Sequence, residues 1–429
     1  MLRAQYDNML ACIRCGQCLM ACPTYLETHH EEESPRGRIA MARAYLEGHL
    51  KLTPDLLRHE DSCLLCDACS AVCPAGVRME PIGLAFRATV EGDRGRPLVH
   101  GAMRWFGFRV VLGDLGLLRL FAGLLRGYQR LRLGRLVGGW LERWGGLTGA
   151  LGLLPAVPDR FLVPEDQRWE PRDPRGGSAA LFAGCVMSTL FAPVQRAAVR
   201  SLLAHGMAVT VPAGQGCCGA LQAHNGDLAG ARTLARRNVR AFAPGRDPAA
   251  AGDADGPIVV TAAGCGAFLK GYGELMAGDP LEAAAAALAG RVRDLSESLA
   301  PLDPPLNARA IRSTVTYQEA CHLVHAQRVS EPPRRLLRRL PGIRLVEMQE
   351  PALCCGSAGI YNVLHPEMAD ALLERKLGNI EATGADLVVT TNPGCMLQLQ
   401  AGLRRRASSV RVVHLAELLA EAYGEGEPS

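Results

Sequence analysis

The sequence predicts an α/β protein with an all-α N-terminal part, and three observations predict it. Up to about residue 94, short helix-like segments with proline at their starts surround two cysteine runs. From Ala179 onward, short apolar runs alternate with helix-period segments, the pattern of parallel strands joined by helices. That alternation then occurs a second time with its cysteines in the same order, which indicates an internal duplication.

Each N-terminal run reads C-x2-C-x2-C-x3-C-P: Cys12, Cys15, Cys18 and Cys22 before Pro23, then Cys63, Cys66, Cys69 and Cys73 before Pro74. Three thiolates on one tight loop reach three irons of a 4Fe-4S cube, while the fourth serves a second cluster. The runs are therefore expected to cross. Cys12, Cys15, Cys18 and Cys73 would hold one 4Fe-4S cluster, and Cys63, Cys66, Cys69 and Cys22 the other. Zinc is the alternative, but it takes four ligands in C-x2-C pairs and fits two identical four-cysteine runs poorly. Between the runs, a helix from about Ser34 to Gly48 and a shorter one from Pro54 to His59 bring the second run back against the first. Glu31, Glu32 and Glu33 read as a solvated turn. This helical two-cluster module spans residues 1–94.

A chain of 429 residues with 48% hydrophobic content has room for several domains, each with its own core. The formal charge of +4 is small for that length and implies no nucleic acid. All 16 cysteines fall in motifs. A reducing compartment keeps such thiols available to metal, and no apolar signal core precedes Cys12, so the chain reads as cytoplasmic.

Residues 95–175 form an arginine-rich insert and a linker. Trp105, Phe106, Phe108, Leu112, Leu115, Leu118, Phe121, Leu125, Leu136, Trp140 and Trp144 recur at amphipathic-helix spacings. Arg104, Arg109, Arg119, Arg126, Arg130, Arg132, Arg135 and Arg143 interrupt every apolar run well short of the roughly 18 residues that cross a bilayer. Such a segment packs on its own protein, lies on an anionic membrane surface or enters a partner's groove. Val163 to Ser178, with three prolines, reads as a linker.

The first repeated unit, residues 176–300, predicts strands at Ala179–Cys185, Ala208–Pro212 and Pro257–Thr261, with helices at Ala192–His205 and Asp227–Phe242. The second, residues 301–429, predicts strands at Ser313–Tyr317, Ile343–Glu347 and Asp386–Thr390, with helices at Pro333–Leu340 and Pro366–Thr383. Cys185, Cys217, Cys218 and Cys265 in the first correspond to Cys321, Cys354, Cys355 and Cys395 in the second. All lie at strand ends or glycine-containing turns, on the carboxyl edge where parallel sheets place their sites. The eight are expected to converge, with Gly219 and Gly356 letting the backbone approach a bulky cluster. Adjacent cysteines make poor disulfides and serve better as metal ligands. Eight thiols leave open whether one cluster or two is held.

These stretches resemble a family. The repeated C…CCG…C units resemble the CCG domains of heterodisulfide-reductase-type proteins, and a ferredoxin-type module ahead of two of them resembles the iron-sulfur subunit of bacterial glycolate oxidase. The residues concerned include Cys12-Ile-Arg-Cys-Gly-Gln-Cys, Pro35-Arg-Gly-Arg-Ile, Thr261-Ala-Ala-Gly-Cys, Leu353-Cys-Cys-Gly and His325-Ala-Gln. Heterodisulfide-reductase members end each unit in C-x2-C; Ala262 and Asn392 stand here instead, as in the glycolate oxidase branch. Four thiols per unit suit an ordinary 4Fe-4S cluster rather than a five-cysteine one.

The resemblance implies an electron-transfer subunit of a flavin-dependent glycolate dehydrogenase, with FAD-binding oxidase subunits as partners. Electrons would pass through two 4Fe-4S clusters and one further cluster in the CCG region to a quinone-type acceptor. D-lactate or glycerol-3-phosphate oxidation, or a heterodisulfide-reductase-like catalytic role, are the alternatives. The residues themselves add that no dinucleotide fingerprint, Walker loop or nucleophile–base pair is visible, so no catalytic residue is assigned. His322 and His325, beside Cys321, and His224 are expected to be structural, with iron ligation or proton relay to a quinone as the other roles. Peripheral contact with the inner face of a membrane, through the insert, accompanies this reading.

Overall fold

In the computed structural model, residues 1–93, 98–131, 155–243 and 256–423 are described. Leu136, Trp140, Trp144, Arg132, Arg135 and Arg143 lie outside them, as does most of the loop between the first unit's last two predicted elements.

The N-terminal part is helical. Pro35–Leu46 forms a helix because Pro35 starts it and the Ser34 hydroxyl accepts from the Gly37 amide. Thr53 caps Pro54–Asp61 in the same way. A third helix, Met79–Val90, buries Ile82, Ala85, Phe86 and Val90 against them. The glutamate turn departs from expectation: Glu33 is 6% exposed. Its carboxylate meets the buried Arg38 guanidinium at 2.5 Å and His59 Nδ1 at 2.6 Å. Charge composition alone could not reveal that these groups neutralise one another inside the fold.

Among the described residues, nine short strands build two sheets. The first contains β1 (Gln167–Trp169), β2 (Ser178–Leu181), β3 (Ala208–Val211), β4 (Ile258–Val260) and β5 (Val292–Asp294), in the order β1-β3-β2-β4-β5. The second contains β6 (Ser313–Tyr317), β7 (Ile343–Leu345), β8 (Leu387–Thr390) and β9 (Arg411–His414), in the order β7-β6-β8-β9. Leaving out β1, the two orders coincide and every pairing is parallel. The mixed α/β class and the duplication thus take the predicted form. β1 arises inside the expected linker and pairs antiparallel with β3, Gln167 opposite Val211.

Besides a buried cluster on the outer side of each sheet, the two units share a core. One buried cluster runs from Leu181, Val209 and Val259 of the first sheet to Val315, Val389 and Leu418 of the second. The helix Leu415–Tyr423, in which only the two glutamates break the apolar sequence, is buried against Ala192–Ala204 of the other unit. His414 fastens the joint. Its Nε2–H donates to Thr261 O at 2.8 Å, and its Nδ1 accepts from the Ala416 amide at 3.0 Å.

The insert rests on the first unit: Arg109 pairs with Asp227 at 2.6 Å, and Gln222 donates to Phe108 O at 2.9 Å. Arg126 donates to Asp159 O at 2.6 Å and covers the Phe161 ring, so part of the basic face is used internally. Trp105, Leu120, Leu124 and Leu131 remain exposed. Among the described residues, no helix is long and apolar enough to cross a membrane.

Candidate iron-sulfur sites

The two cysteine runs fold into loops with the same backbone. The third and fifth residues of each are left-handed: Arg14 and Gly16 at φ 56° and 85°, Leu65 and Asp67 at φ 50° and 62°. Such turns point successive amides into a concave face that receives negative charge. A short helical turn follows each loop, Gln17–Ala21 after the first and Ala68–Ala71 after the second.

Two hollows lie under these loops. Cys12, Cys15, Cys18 and Cys73 line one; Cys22, Cys63 and Cys66 line the other; Cys69 borders both. The proline after each run starts or bounds the turn that carries the fourth cysteine across. Only Cys15 of the sixteen is exposed. Thiol sets of this kind fit an iron-sulfur cube, because a soft cluster takes four sulfur ligands and no other donor is needed.

Arg38 ties the loops together. Its guanidinium donates to Thr24 Oγ1 at 3.0 Å, two residues after Cys22, and to Ser62 Oγ at 2.8 Å, one residue before Cys63. Burial opposes the charge on Glu33, but bonds from Ser62, Arg38 and His59 outweigh it and hold that carboxyl below the usual range.

The other eight cysteines gather as two quartets rather than one set. Cys185 Sγ lies 3.4 Å from Cys217 Sγ, and Cys218 Sγ lies 3.2 Å from Cys265 Sγ. In the second unit the sulfurs of Cys321, Cys354, Cys355 and Cys395 touch in sequence. The quartets meet at a joint where the Ala263 amide donates to Thr391 O at 3.1 Å and the Gly264 amide to Asn392 Oδ1 at 3.2 Å. Asn392, standing where a fifth cysteine was missed, also reaches Cys395 Sγ at 3.6 Å.

The glycines after the paired cysteines let a helix come close to each turn. Gly219 and Gly356 adopt φ 92° and 83°. A Cβ on Gly356 would fall 2.5 Å from Ala369 O, and one on Gly219 3.2 Å from Ala231 O. Each lets a helix backbone pack against the cysteine turn.

The second quartet adjoins the second run. Cys66, Cys321 and Cys354 share one buried cluster with Leu64 and Tyr361, and Tyr361 donates to Ser62 O at 2.9 Å. The first quartet instead faces Leu112, Leu115 and Leu118 of the insert. The environments differ in charge as well. Lys376 is fully buried beside the second quartet, donating to Glu350 O at 2.5 Å. His322 donates from Nε2 to Leu65 O at 3.0 Å; burial disfavours its charge, yet Cys321 and Glu80 outweigh burial and its pKa is pushed up to about 9. His325 donates to Ala352 O at 3.1 Å, and His224 Nε2 lies 3.5 Å from Glu80. All three histidines thus have protein partners. Sequence reasoning missed Lys376, whose single positive charge in a helix gave no sign of burial.

Residues 8–77 match the 4Fe-4S dicluster domain, and residues 179–270 and 315–400 each match the cysteine-rich domain family known as CCG. The chain is 36% identical to the probable glycolate oxidase iron-sulfur subunit of Bacillus subtilis (strain 168), across 98% of this chain and 96% of that one. It is 32% identical to the glycolate oxidase iron-sulfur subunit of Escherichia coli (strain K12), across 97% and 95%. Lactate utilization protein A of Shouchella clausii is 30% identical, covering 56% of this chain and 98% of that relative. With both chains matched almost end to end, this protein belongs to the family of glycolate oxidase iron-sulfur subunits.

Proposed function

We propose that the chain is the electron-transfer subunit of a flavin-dependent 2-hydroxy-acid dehydrogenase, with glycolate as the complex's substrate and a quinone-type electron acceptor. The observation that carries the reading is the continuous line of thiol sites. The hollow of Cys12, Cys15, Cys18 and Cys73 shares a wall with that of Cys22, Cys63, Cys66 and Cys69, and the latter packs on Cys321 and Cys354. Those two groups of four would each hold a 4Fe-4S cluster, and the second CCG quartet a further one. A cluster bound there supplies a one-electron redox centre whose potential follows its burial and the hydrogen bonds and charges around it. The chain's own residues set those conditions. Arg38 locks the loops, Lys376 and His322 place positive charge beside the second quartet, and burial covers Cys22, Cys66 and the whole second quartet. With thiol sites for electron carriers and no site assigned to hydroxy-acid chemistry, the oxidation itself belongs to a flavin on a partner chain.

Paramagnetic resonance of the reduced Cys22→Ala and Cys73→Ala proteins tests the crossed ligation. Cys22→Ala should lose the signal of the site at Cys63, Cys66 and Cys69, and Cys73→Ala that of the site at Cys12. Loss of the sequence-adjacent site in each variant would refute it. Reconstitution with FAD-binding subunits tests the substrate: cluster reduction by glycolate, and not by D-lactate or glycerol 3-phosphate, is expected.

A further inference from the structure

A cavity of about 650 Å³ lies where the second cysteine run, the insert and the turns after both paired-cysteine motifs meet. That is within the range of roughly 300–1,000 Å³ that holds small organic ligands. Nothing described so far uses it. Its walls are mostly apolar, with Leu64, Phe108, Ile360 and Leu364 from three parts of the chain, and its two arginines are engaged by the protein, Arg87 donating to Cys63 O at 2.6 Å and Arg104 pairing with Glu91 at 3.1 Å. Cys63, assigned above to the second cluster, is part of the wall as well.

Two imidazoles stand among these apolar groups. His365 stacks on Tyr361, ring centroids 4.6 Å apart and planes at 28°, so its ring is fixed. No hydrogen-bond partner meets its ring nitrogens among the described residues. His224 is held at Nε2 by Glu80, 3.5 Å away. The mouth is also apolar. Met103 lines the cavity while 66% exposed, and Trp105 and Phe106 beside it are 58% and 46% exposed.

We infer that this cavity binds the ring of a lipid-tailed quinone, with His365 donating to one carbonyl and the tail leaving over Met103, Trp105 and Phe106. Each feature selects that chemistry. Largely apolar walls suit a ring, fixed imidazole N–H groups suit carbonyl oxygens, and an apolar mouth suits a hydrocarbon tail more than a soluble dye or nucleotide. The adjoining Cys63 puts the ring beside an electron source. Overall, the 2-hydroxy acid loses two electrons and two protons to become a 2-oxo acid, and the quinone gains the same to become a quinol. The inference rests on the electron-transfer reading but not on glycolate.

The test uses the purified, cluster-loaded full chain and decyl-ubiquinone, with no flavin subunit and no hydroxy acid, so an error in the assigned substrate leaves it untouched. Binding is followed by tryptophan quenching, and a photoreactive azido derivative is mapped by mass spectrometry. Label is expected on the peptides holding residues 103–108 and 360–365. Ile360→Trp, which fills the cavity, should weaken binding about tenfold or more. His365→Phe, which keeps the stack on Tyr361 but removes the donor, should weaken it about fivefold. Iron content and cluster spectra confirm that each variant is folded. Should Ile360→Trp fail to fold, Leu364→Trp at the more exposed end takes its place. Label elsewhere, or unchanged affinity in the folded variants, overturns the assignment.

Discussion

Replacing Arg38 by methionine should loosen the second cluster site first, and the magnitude follows from what the guanidinium holds. Arg38 is 1% exposed and Glu33 6%. Removing the cation leaves a carboxylate buried against Ser62 and His59 without its guanidinium partner. Breaking a buried pair on one side costs about 3–5 kcal/mol. Two loop anchors go with it, the bonds to Thr24 Oγ1 and to His59 O at 2.9 Å, which fix the chain beside Cys22 and ahead of Cys63. Domains have only about 5–15 kcal/mol of stability, so this loss is a large share. The assay is iron release to a chelator at pH 7, with paramagnetic resonance to tell the sites apart. The site containing Cys22 and Cys63 should release iron well before the one containing Cys12. Adding Glu33→Gln to Arg38→Met should recover part of the loss, because the Glu33 side chain then needs no cation. The pH dependence has a definite sign. Glu33 has a lowered folded pKa, so its contribution is present above the unfolded value and is lost as pH falls through the folded one. An Arg38→Met protein that keeps both sites at the wild-type rate, or a double variant as labile as the sum of the singles, would refute this reasoning.

Two more outcomes are expected. Burial pushes the His414 pKa down to about 4, so the unfolded chain takes a proton that the folded one refuses, and stability is lost as pH falls from about 6.5 toward 4. Between pH 7 and pH 5 wild type should lose about 2 kcal/mol more than His414→Gln in denaturant unfolding; parallel losses would remove His414 from the account. Because the CCG thiols form two quartets, Cys218→Ser and Cys355→Ser should not remove a shared signal: Cys355→Ser should stop electron flow from glycolate to a quinone analogue, and Cys218→Ser should leave more of it. Identical spectra for the two variants would return the eight thiols to one site.

What the sequence discloses depends on the range of the interaction that decides each feature. Ligand spacing is local, so the eight N-terminal cysteines could be grouped from their intervals; the hollows lie between these thiols, with Cys69 on both. Apolar β-branched runs such as Val388-Val389 are local too, and the strands from Ser313 and Leu387 follow them. β1 is different. Gln167-Arg168-Trp169 lies in a proline-rich stretch, and only the edge of β3 makes it a strand. β9 carries the alternation Arg411-Val-Val-His but ends in a histidine whose acceptor, Thr261 O, is 153 residues away. Glu33, Lys376 and the core shared by both units are likewise products of distant packing. A charged residue in sequence reads as solvated until its partner is known.

The duplication has kept its geometry and changed its chemistry. At one position of the helix behind each cysteine pair, the first unit has Asn238, donating to Cys217 O at 2.9 Å, and the second has buried Lys376. Behind the first pair stands the neutral Tyr272, whose hydroxyl donates to Cys218 O at 2.6 Å; beside the second stands His322. A cluster on four thiolates is anionic, and burying an anion is costly unless a cation is near. The second quartet supplies that cation and the first relies on neutral dipoles. Position agrees with charge, because the second quartet adjoins Cys66 while the first faces the insert. The same loops place the quinone cavity against Cys63. One copy of the repeat has thereby become the continuation of the N-terminal thiol sites, and the other the platform on which the insert that frames the cavity rests.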